Sequence, residues 1–207
     1  MALNTIVYEK FRNAFEQKSC QLIIEAYQVS LTEKIIQSDW NENDISYELF
    51  EKMEKNPKRI SKFKIHLSPE FRVPKNVSKV KGFSDKLPRI DLKMAHFALK
   101  QEFKYFFEAK RLKEKSSALK RAYINEGMDR YISKKYPMGC MLGYLLEGKT
   151  DETIKGINSL LGKDKRNTEV LNLKSEKVIK SIYQSNHSDI GTLRHLIFDF
   201  TSILVQS

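Results

Sequence analysis

RIDLKMAHFALKQEFKYFFEAKR, residues 89–111, is the stretch that decides the fold. It predicts two β-strands joined by a short turn. Side chains alternate between the two faces of a strand. The second strand therefore has two faces: Lys104, Phe106, Glu108 and Lys110 on one, and Tyr105, Phe107 and Ala109 on the other.

Three polar residues in this stretch point to a single chemistry. Glu108 and Lys110 are two residues apart, so they project side by side from the second strand. An antiparallel first strand can set Asp91 next to them. Two carboxylates and a lysine at one point make a hard-cation site beside a positive charge. That combination suits phosphodiester hydrolysis, in which a metal activates water and neutralises the phosphate.

The spacing of these residues resembles a known motif. Asp91, a gap of one hairpin, and then Glu108-x-Lys110 is similar to the PD-(D/E)XK motif of the restriction-endonuclease-like nuclease superfamily. The residue before Asp91 is Ile90 rather than proline, although Pro88 lies close by. Residues from about 40 to the end loosely resemble small bacterial nucleases of restriction and phage-defence systems.

The resemblance implies a role for each motif residue. Asp91 and Glu108 would bind one or two divalent cations, with the carbonyl of Ala109 as a further ligand. Lys110 would orient the attacking water or help to deprotonate it. Mg²⁺ is the expected ion because it prefers hard oxygen ligands, and Mn²⁺ is the substitute. The implied activity is that of a Mg²⁺-dependent endonuclease.

Glu42 is a further candidate ligand, by its position and by the resemblance. Nucleases of this superfamily often carry an acidic residue on a helix ahead of the core strands. Asn41 or Asp44 can cap such a helix, which would extend to about residue 55. The alternative is that Glu42 is simply an acid in the first turn of the helix, stabilised by the helix dipole.

A basic segment follows the second strand. Ser116 or Ser117 can cap a helix that continues to about residue 135. Its outward positive side chains could follow a phosphate backbone. The alternative is a solvated helix face without a partner. The candidate nucleic-acid-binding residues are Lys120, Arg121, Arg130 and Lys134.

Composition limits the class of protein. The chain has 207 residues and a formal net charge of +11, which favours a polyanionic partner, nucleic acid or an anionic membrane. The alternative is a lysine-rich soluble protein.

Cys20 and Cys140 are far apart and belong to no metal-binding or disulfide pattern. The first residues are charged, and no apolar run approaches the ~20 residues that span a bilayer. A cytoplasmic protein without a membrane partner is therefore predicted.

The order of predicted elements favours one domain over residues 1–207, with N-terminal helices in 1–55 and a sheet core in 56–207. The predicted class is α/β or α+β, a mixed central sheet flanked by helices, and the restriction-like core is one such arrangement. Further expected elements are helices over 5–29 and 150–161, strands over 59–73 and 137–148, a polar loop over 74–87, and final strands over 177–188 and 193–205.

Three functions remain open from the sequence. The first is a metal-dependent deoxyribonuclease of a restriction or phage-defence system, with a homodimer expected by resemblance. The second is a nuclease-like module that binds nucleic acid or a protein without cutting. The third is a toxin-like effector gated by a partner protein from a defence system. His187 and His195 are interpreted as hydrogen-bonded structural residues, since neither has a spaced second ligand.

Overall fold

The computed structural model of the protein describes residues 5–73, 87–98, 101–137, 139–174 and 181–204. Within this part of the chain the fold is α+β, with one mixed sheet flanked by helices. The predicted polar loop over 74–87 lies outside the described residues, apart from its last position.

The sheet has seven strands in the order β1-β2-β3-β4-β7-β6-β5. The three central strands β3, β4 and β7 are parallel, and the pairs on either side of them are antiparallel. The strands are β1 His66–Arg72, β2 Arg89–Ala98, β3 Gln101–Lys113, β4 Gly139–Glu147, β5 Asn172–Leu173, β6 Ile182–His187 and β7 Gly191–Asp199.

Helices cover both faces of the sheet. The helices are α1 Thr5–Glu33, α2 Glu42–Lys55, α3 Ser117–Ala122, α4 Asp129–Ile132, α5 Thr150–Lys163 and α6 Thr201–Leu204. One apolar core joins α1 and α2 to the sheet face that carries Phe107, and a second joins α4 and α5 to the face that carries Phe106. The predicted alternation along the second strand is therefore confirmed.

Of the two caps that the sequence offers for α2, the structure uses Asn41, and Asp44 completes a capping box with it. The side chain of Asn41 accepts hydrogen bonds from the backbone N–H groups of Asn43 and Asp44, at 2.8 and 3.1 Å. In return the carboxylate of Asp44 accepts from the N–H of Asn41 at 3.0 Å. These bonds satisfy donors that the first turn leaves free, and they fix Glu42 as the first residue of the helix.

Two predicted elements differ from the structure near the N-terminal half. The strand expected over 59–73 begins only at His66, because Arg59–Phe63 is a π-helical turn. The Arg59 side chain closes this turn by donating to the carbonyl of Ile65 at 3.0 Å. The helix expected from Ser116 to about residue 135 is divided into α3 and α4 by a second π-helical turn, Tyr123–Met128.

Two smaller corrections concern the C-terminal half. The sequence offers Thr150 or Asp151 as the N-cap of α5, but both lie inside the helix, and the N-cap is Lys149, which makes no side-chain cap. The last predicted strand ends at Asp199, and the chain then turns into α6. The carboxylate of Asp199 causes this change, since it accepts the N–H of Thr201 at 3.0 Å and caps the new turn. None of the described helices is both long and apolar enough to cross a membrane.

The central strand β4 is buried along its length except at its last residue, Glu147. Gly139 begins it and pairs with Phe106 of β3. A Cβ atom at this position would lie 2.0 Å from the carbonyl oxygen of Phe106. Because that neighbour is backbone, it cannot move aside without disturbing the β3–β4 ladder, so this position requires glycine.

We therefore expect Gly139→Ala to lower the free energy of unfolding by about 1–3 kcal/mol, the usual cost of overpacking. Gly162→Ala is the control, since its Cβ would meet only the Asn167 side chain at 3.4 Å near the end of α5. Urea denaturation of both variants measures the difference. Equal stability of the two would contradict the close packing described for Gly139.

Candidate active site at the divergence of two strands

The candidate site lies where β2 separates from β3. The two strands pair from Ala98–Gln101 as far as Leu92–Phe107. Beyond that point the carboxylate of Asp91 replaces the strand ladder, since its Oδ2 accepts the backbone N–H of Ala109 at 2.6 Å. The strand β3 continues alongside β4. Asp91 is thus fixed to β3 through the residue between Glu108 and Lys110.

Glu108 and Lys110 occupy the β3 face that packs against α4. Both are buried, with 2% and 8% of their surface exposed. The Lys110 ammonium donates to Oε1 of Glu108 and to the carbonyl of Ala109, both at 2.9 Å. The lysine therefore bridges two oxygens of its own strand.

A second cation reaches the same carboxylate from α4. Arg130 donates to Oε1 of Glu108 at 2.8 Å and to the hydroxyl oxygen of Tyr136 at 2.8 Å. The Tyr136 hydroxyl in turn donates to the carbonyl of Arg89 at the start of β2. This chain of contacts ties β2, β3 and α4 together around Glu108.

The two oxygens of Glu108 differ in their hydrogen bonding, because only Oε1 has partners. Its Oε2 atom is buried and has no hydrogen-bond partner among the described residues. An unpaired carboxylate oxygen in a buried position is costly, so native proteins rarely retain one without a proton, a water or an ion. This oxygen is therefore an acceptor that the described residues leave unsatisfied.

The electrostatics of the two carboxyl groups are coupled. Burial, followed by the negative charge of Asp91, raises the pKa of Glu108 to about 7, although Lys110 and Arg130 oppose the shift. Burial also raises the pKa of Asp91, against the effects of the Ala109 N–H and Lys110. Raised pKa values in neighbouring carboxyl groups are typical of functional sites.

The three motif side chains open into one cleft of about 250 Å³. A second cleft of about 310 Å³ lies over Asp91 and is walled by the start of α2. The residues that line the first cleft are Asn43, Glu70, Pro88, Arg89, Ile90, Asp91, Glu108, Lys110, Arg130, Lys135 and Tyr136. The structure thus brings together Asp91, Glu108 and Lys110, as predicted.

Glu42 lies beside this site but is engaged elsewhere. Its carboxylate forms an ion pair with Nε of Arg111 at 3.3 Å. Its negative charge still raises the pKa of Asp91, and the next residue, Asn43, lines the cleft. Its place in the first turn of α2 also fits the alternative of an acid stabilised by the helix dipole.

The four predicted nucleic-acid-binding residues are separated by the structure. Lys120 donates to the carbonyl of Glu114 at 2.7 Å and lies against α5, and Arg121 forms an ion pair with Asp164. Neither lines the cleft. Arg130 does line it, and Lys134 lines a larger neighbouring cavity.

The site supplies only some of the oxygen ligands that a hard divalent cation needs. The described residues include no group of three or more His, Cys, Asp or Glu side chains that could hold a metal ion. Asp91 and Glu108 supply two carboxylates, and the carbonyl of Ala109 is adjacent. Mg²⁺ is commonly held by one or two carboxylates and otherwise by water and substrate oxygens, so this donor set fits it.

The same three-letter pattern occurs twice on β3. Glu102-Phe103-Lys104 repeats Glu-x-Lys near the beginning of the strand, where Lys104 pairs with Glu102 at 2.9 Å. Glu102 and Lys104 are exposed, and neighbouring cations lower the pKa of Glu102. Burial therefore distinguishes the candidate site from an ordinary surface ion pair.

Sequence reasoning missed Tyr136 and the contact between Arg130 and Glu108. Arg130 is separated from Glu108 by 22 residues, and no motif spacing links the two.

His187 and His195 are hydrogen-bonded structural residues, as interpreted from the sequence. Both share the buried hydroxyl of Ser185, at 2.7 and 2.8 Å.

Comparison of the chain with protein-family models, with curated proteins and with solved structures finds no match. Fold and site therefore define the class of the protein: an α+β protein in which a buried carboxylate and a buried lysine line one cleft. Its likeness to the restriction-endonuclease-like superfamily rests on the motif residues alone.

A pH dependence results from the raised pKa of Glu108. In the unfolded chain this carboxyl ionises near pH 4.5, and in the folded protein near pH 7. Its contribution to stability is therefore complete below about pH 4.5 and is lost as the pH rises to about 7. Without divalent cations, Glu108→Gln should gain up to about 3 kcal/mol relative to wild type between these pH values.

Urea denaturation in EDTA at several pH values measures this difference. Glu102→Gln is the matched control on the same strand. Because the pKa of Glu102 is lowered, its variant should lose stability relative to wild type as the pH rises through the carboxyl range. Parallel curves for Glu108→Gln and wild type would show that the Glu108 carboxyl ionises normally.

Proposed function

We propose that the protein is a metal-dependent nuclease that hydrolyses phosphodiester bonds, with DNA as the favoured substrate. One observation carries the proposal: Glu108 has a buried oxygen without a hydrogen-bond partner among the described residues, and its side chain lines one cleft with Asp91 and Lys110. Glu48 on α2, which is ion-paired with Lys52, also has such an oxygen, so the unpaired oxygen alone does not mark a cation site. At Glu108 it occurs beside a second carboxylate, Asp91, and two carboxylates are a donor set that Mg²⁺ uses.

The cation would be held by the carboxylates of Asp91 and Glu108 and by the carbonyl of Ala109. When bound, Mg²⁺ or Mn²⁺ supplies charge for the phosphate and lowers the pKa of water. The Ala109 N–H keeps the Asp91 carboxylate in place, because it binds one oxygen and leaves the other available.

Lys110 and Arg130 provide the positive charges of the reaction. Both donate to Oε1 of Glu108, so their side chains are fixed at the cleft before substrate arrives. Preorganised donors cost little reorganisation when charge develops on the phosphate. Lys110 would orient the attacking water or help to deprotonate it. Arg130 would neutralise a phosphate oxygen.

The choice of substrate rests on composition and resemblance rather than on the site. A net charge of +11 favours a polyanion and does not distinguish DNA from RNA. DNA, a role in restriction or phage defence, a homodimer, a defence-system partner protein and a cytoplasmic location all come from the resemblance or from composition. They belong to the proposal as its expected setting.

The alternative is a catalytically silent module that binds nucleic acid or a protein. It is favoured by the closed ion cluster at Oε1 of Glu108, where Lys110 and Arg130 already balance the negative charge. In that case the cluster would serve the fold alone, and a divalent cation would have no effect on it. Metal binding and cleavage together separate the two functions.

The first test is cleavage of supercoiled plasmid DNA with Mg²⁺ or Mn²⁺. Asp91→Ala, Glu108→Ala and Lys110→Ala should each reduce the rate by about 100-fold or more, since each removes a group in contact with metal or water. Gel electrophoresis of the relaxed and linear products gives the rates.

The second Glu-x-Lys pair on β3 provides the control. Glu102→Ala and Lys104→Ala change the same residue types on the same strand, outside the cleft, and should leave the rate within about twofold of wild type. Full activity of Lys110→Ala would remove the role assigned to that lysine. Absence of cleavage with every nucleic acid and metal would favour the silent module.

Metal binding has a test that does not depend on activity. About 10 mM Mg²⁺, acting on a site with a Kd of about 1 mM, would stabilise the folded protein by about 1.4 kcal/mol. For a chain of this size the melting temperature should rise by about 3–5 °C. Glu108→Gln should abolish the rise, whereas Glu102→Gln should retain it. An equal response in all three proteins would mean that Mg²⁺ binds elsewhere.

A further inference from the structure

A larger cavity adjoins the candidate active site. It has a volume of about 920 Å³, within the range of small-molecule sites. Lys135 and Tyr136 line both the cavity and the cleft. The hydroxyl of Tyr136 faces Arg130 on the cleft side. A nucleic-acid strand that left the cleft past Tyr136 would therefore enter this cavity.

The cavity exists because the central strand starts late. β3 begins at Gln101 and β7 at Gly191, whereas β4 begins only at Gly139, opposite Phe106. The space between the early parts of β3 and β7 is lined by Arg12 of α1 and by Tyr131 of α4. The cavity thus lies at the end of the sheet, next to the carboxylate site.

The charge of the cavity is positive. Arg12 and Glu16 form an ion pair at 3.4 Å and offset one another. Three further cations line the cavity: Lys134, Lys135 and Arg194. Within the described ranges no carboxylate lies at ion-pair distance from any of the three. The guanidinium of Arg194 is half-buried and donates to the sulfur of Cys20 at 3.4 Å.

Beyond ion-pair distance, Arg194 acts on the carboxylate of Glu16, where it and Arg12 oppose the rise in pKa that burial causes. Arg194 is thus only partly compensated, and a half-buried arginine in that condition is costly to retain for structure alone. It is suited to an oxyanion, since its planar guanidinium can hold two oxygens at once. Beside it, Gln184 and Thr192 offer neutral hydrogen-bonding groups. Tyr105, Tyr131 and Tyr136 also line the cavity, although only 1–3% of the surface of each is exposed.

We propose that this cavity binds a phosphorylated nucleotide unit. Its phosphate would contact Arg194, Lys134 and Lys135, and its sugar and base would occupy the rest of the cavity. The proposal rests on the proposed nuclease function and deepens it, since the nucleotide would belong to the strand that continues from the cleft. The same chemistry would accept a free nucleoside monophosphate, such as a product.

Binding without metal tests the cavity directly. A fluorescein-labelled single-stranded DNA of about 12 nucleotides is titrated in EDTA and followed by fluorescence anisotropy. Arg194→Gln should weaken binding about tenfold, and the double variant Lys134→Gln/Lys135→Gln should do the same. The slope of log Kd against log salt should fall by about 0.7 for each phosphate contact removed.

Lys163→Gln is the matched control, because it removes an exposed positive charge at the end of α5, outside the cavity. It should bind within about twofold of wild type. The lysine pair keeps the test valid if Arg194→Gln fails to fold, which its melting curve would show. Wild-type affinity in folded Arg194→Gln and in the lysine pair, matching Lys163→Gln, would overturn the proposal.

A competition arm distinguishes the source of the nucleotide. If adenosine or thymidine monophosphate displaces the oligonucleotide from wild type, the cavity accepts a free nucleotide. If neither displaces it while the variants still bind weakly, the cavity accepts the unit only within a strand. Both results support the site.

A parallel cleavage assay separates this proposal from the proposed function. Glu108→Gln should lose cleavage in Mg²⁺ while it keeps wild-type binding in EDTA. Cleavage that depends on Glu108, together with binding that is insensitive to Arg194 and the lysines, would reject the cavity alone. Binding that is sensitive to them, without cleavage under any condition, would reject the nuclease alone.

Discussion

The burial of one carboxylate determines the arrangement around it. Glu108 is held on a strand with 2% of its surface exposed, so its charge must be balanced inside the protein. Lys110 and Arg130 supply that balance from the same strand and from α4. Both cations contact a single oxygen, and the other is buried without a hydrogen-bond partner among the described residues.

The divergence of β2 from β3 creates the cleft beside Glu108. A continuous ladder would have kept β2 paired with β3 opposite Glu108 and Ala109. Instead, pairing ends at Leu92–Phe107, and the Asp91 carboxylate takes the Ala109 N–H. A polar side chain thus replaces a strand hydrogen bond, so no backbone donor is lost. The gap that results is the cleft.

Local sequence rules predicted the parts of the site that one hairpin contains. Alternation along β3 gave the shared face of Glu108 and Lys110, and antiparallel pairing brought Asp91 close to them. The same rules could not distinguish this pair from Glu102 and Lys104, since burial depends on which helix covers the strand. Contacts across the fold, such as Tyr136 with Arg89, left no signal in the spacing.

The basic helix shows why a prediction from periodicity has a limited range. Extrapolation at 3.6 residues per turn treats residues 116–135 as one helix, whereas the π-helical turn Tyr123–Met128 inserts extra residues. Each added residue rotates the later part of the helix by about 100°. Lys120, ahead of the turn, lies against α5, and Arg130, after the turn, contacts Glu108.

Gly127 lies within this turn, and a Cβ there would come 2.3 Å from Met141 Cε and 3.6 Å from Lys110 Cγ. The absence of a side chain lets the turn approach β4 and pack over the stem of Lys110. The irregular turn thus packs against the aliphatic part of Lys110, and the short helix that follows it carries Arg130, whose guanidinium donates to the same Glu108 oxygen as the Lys110 ammonium.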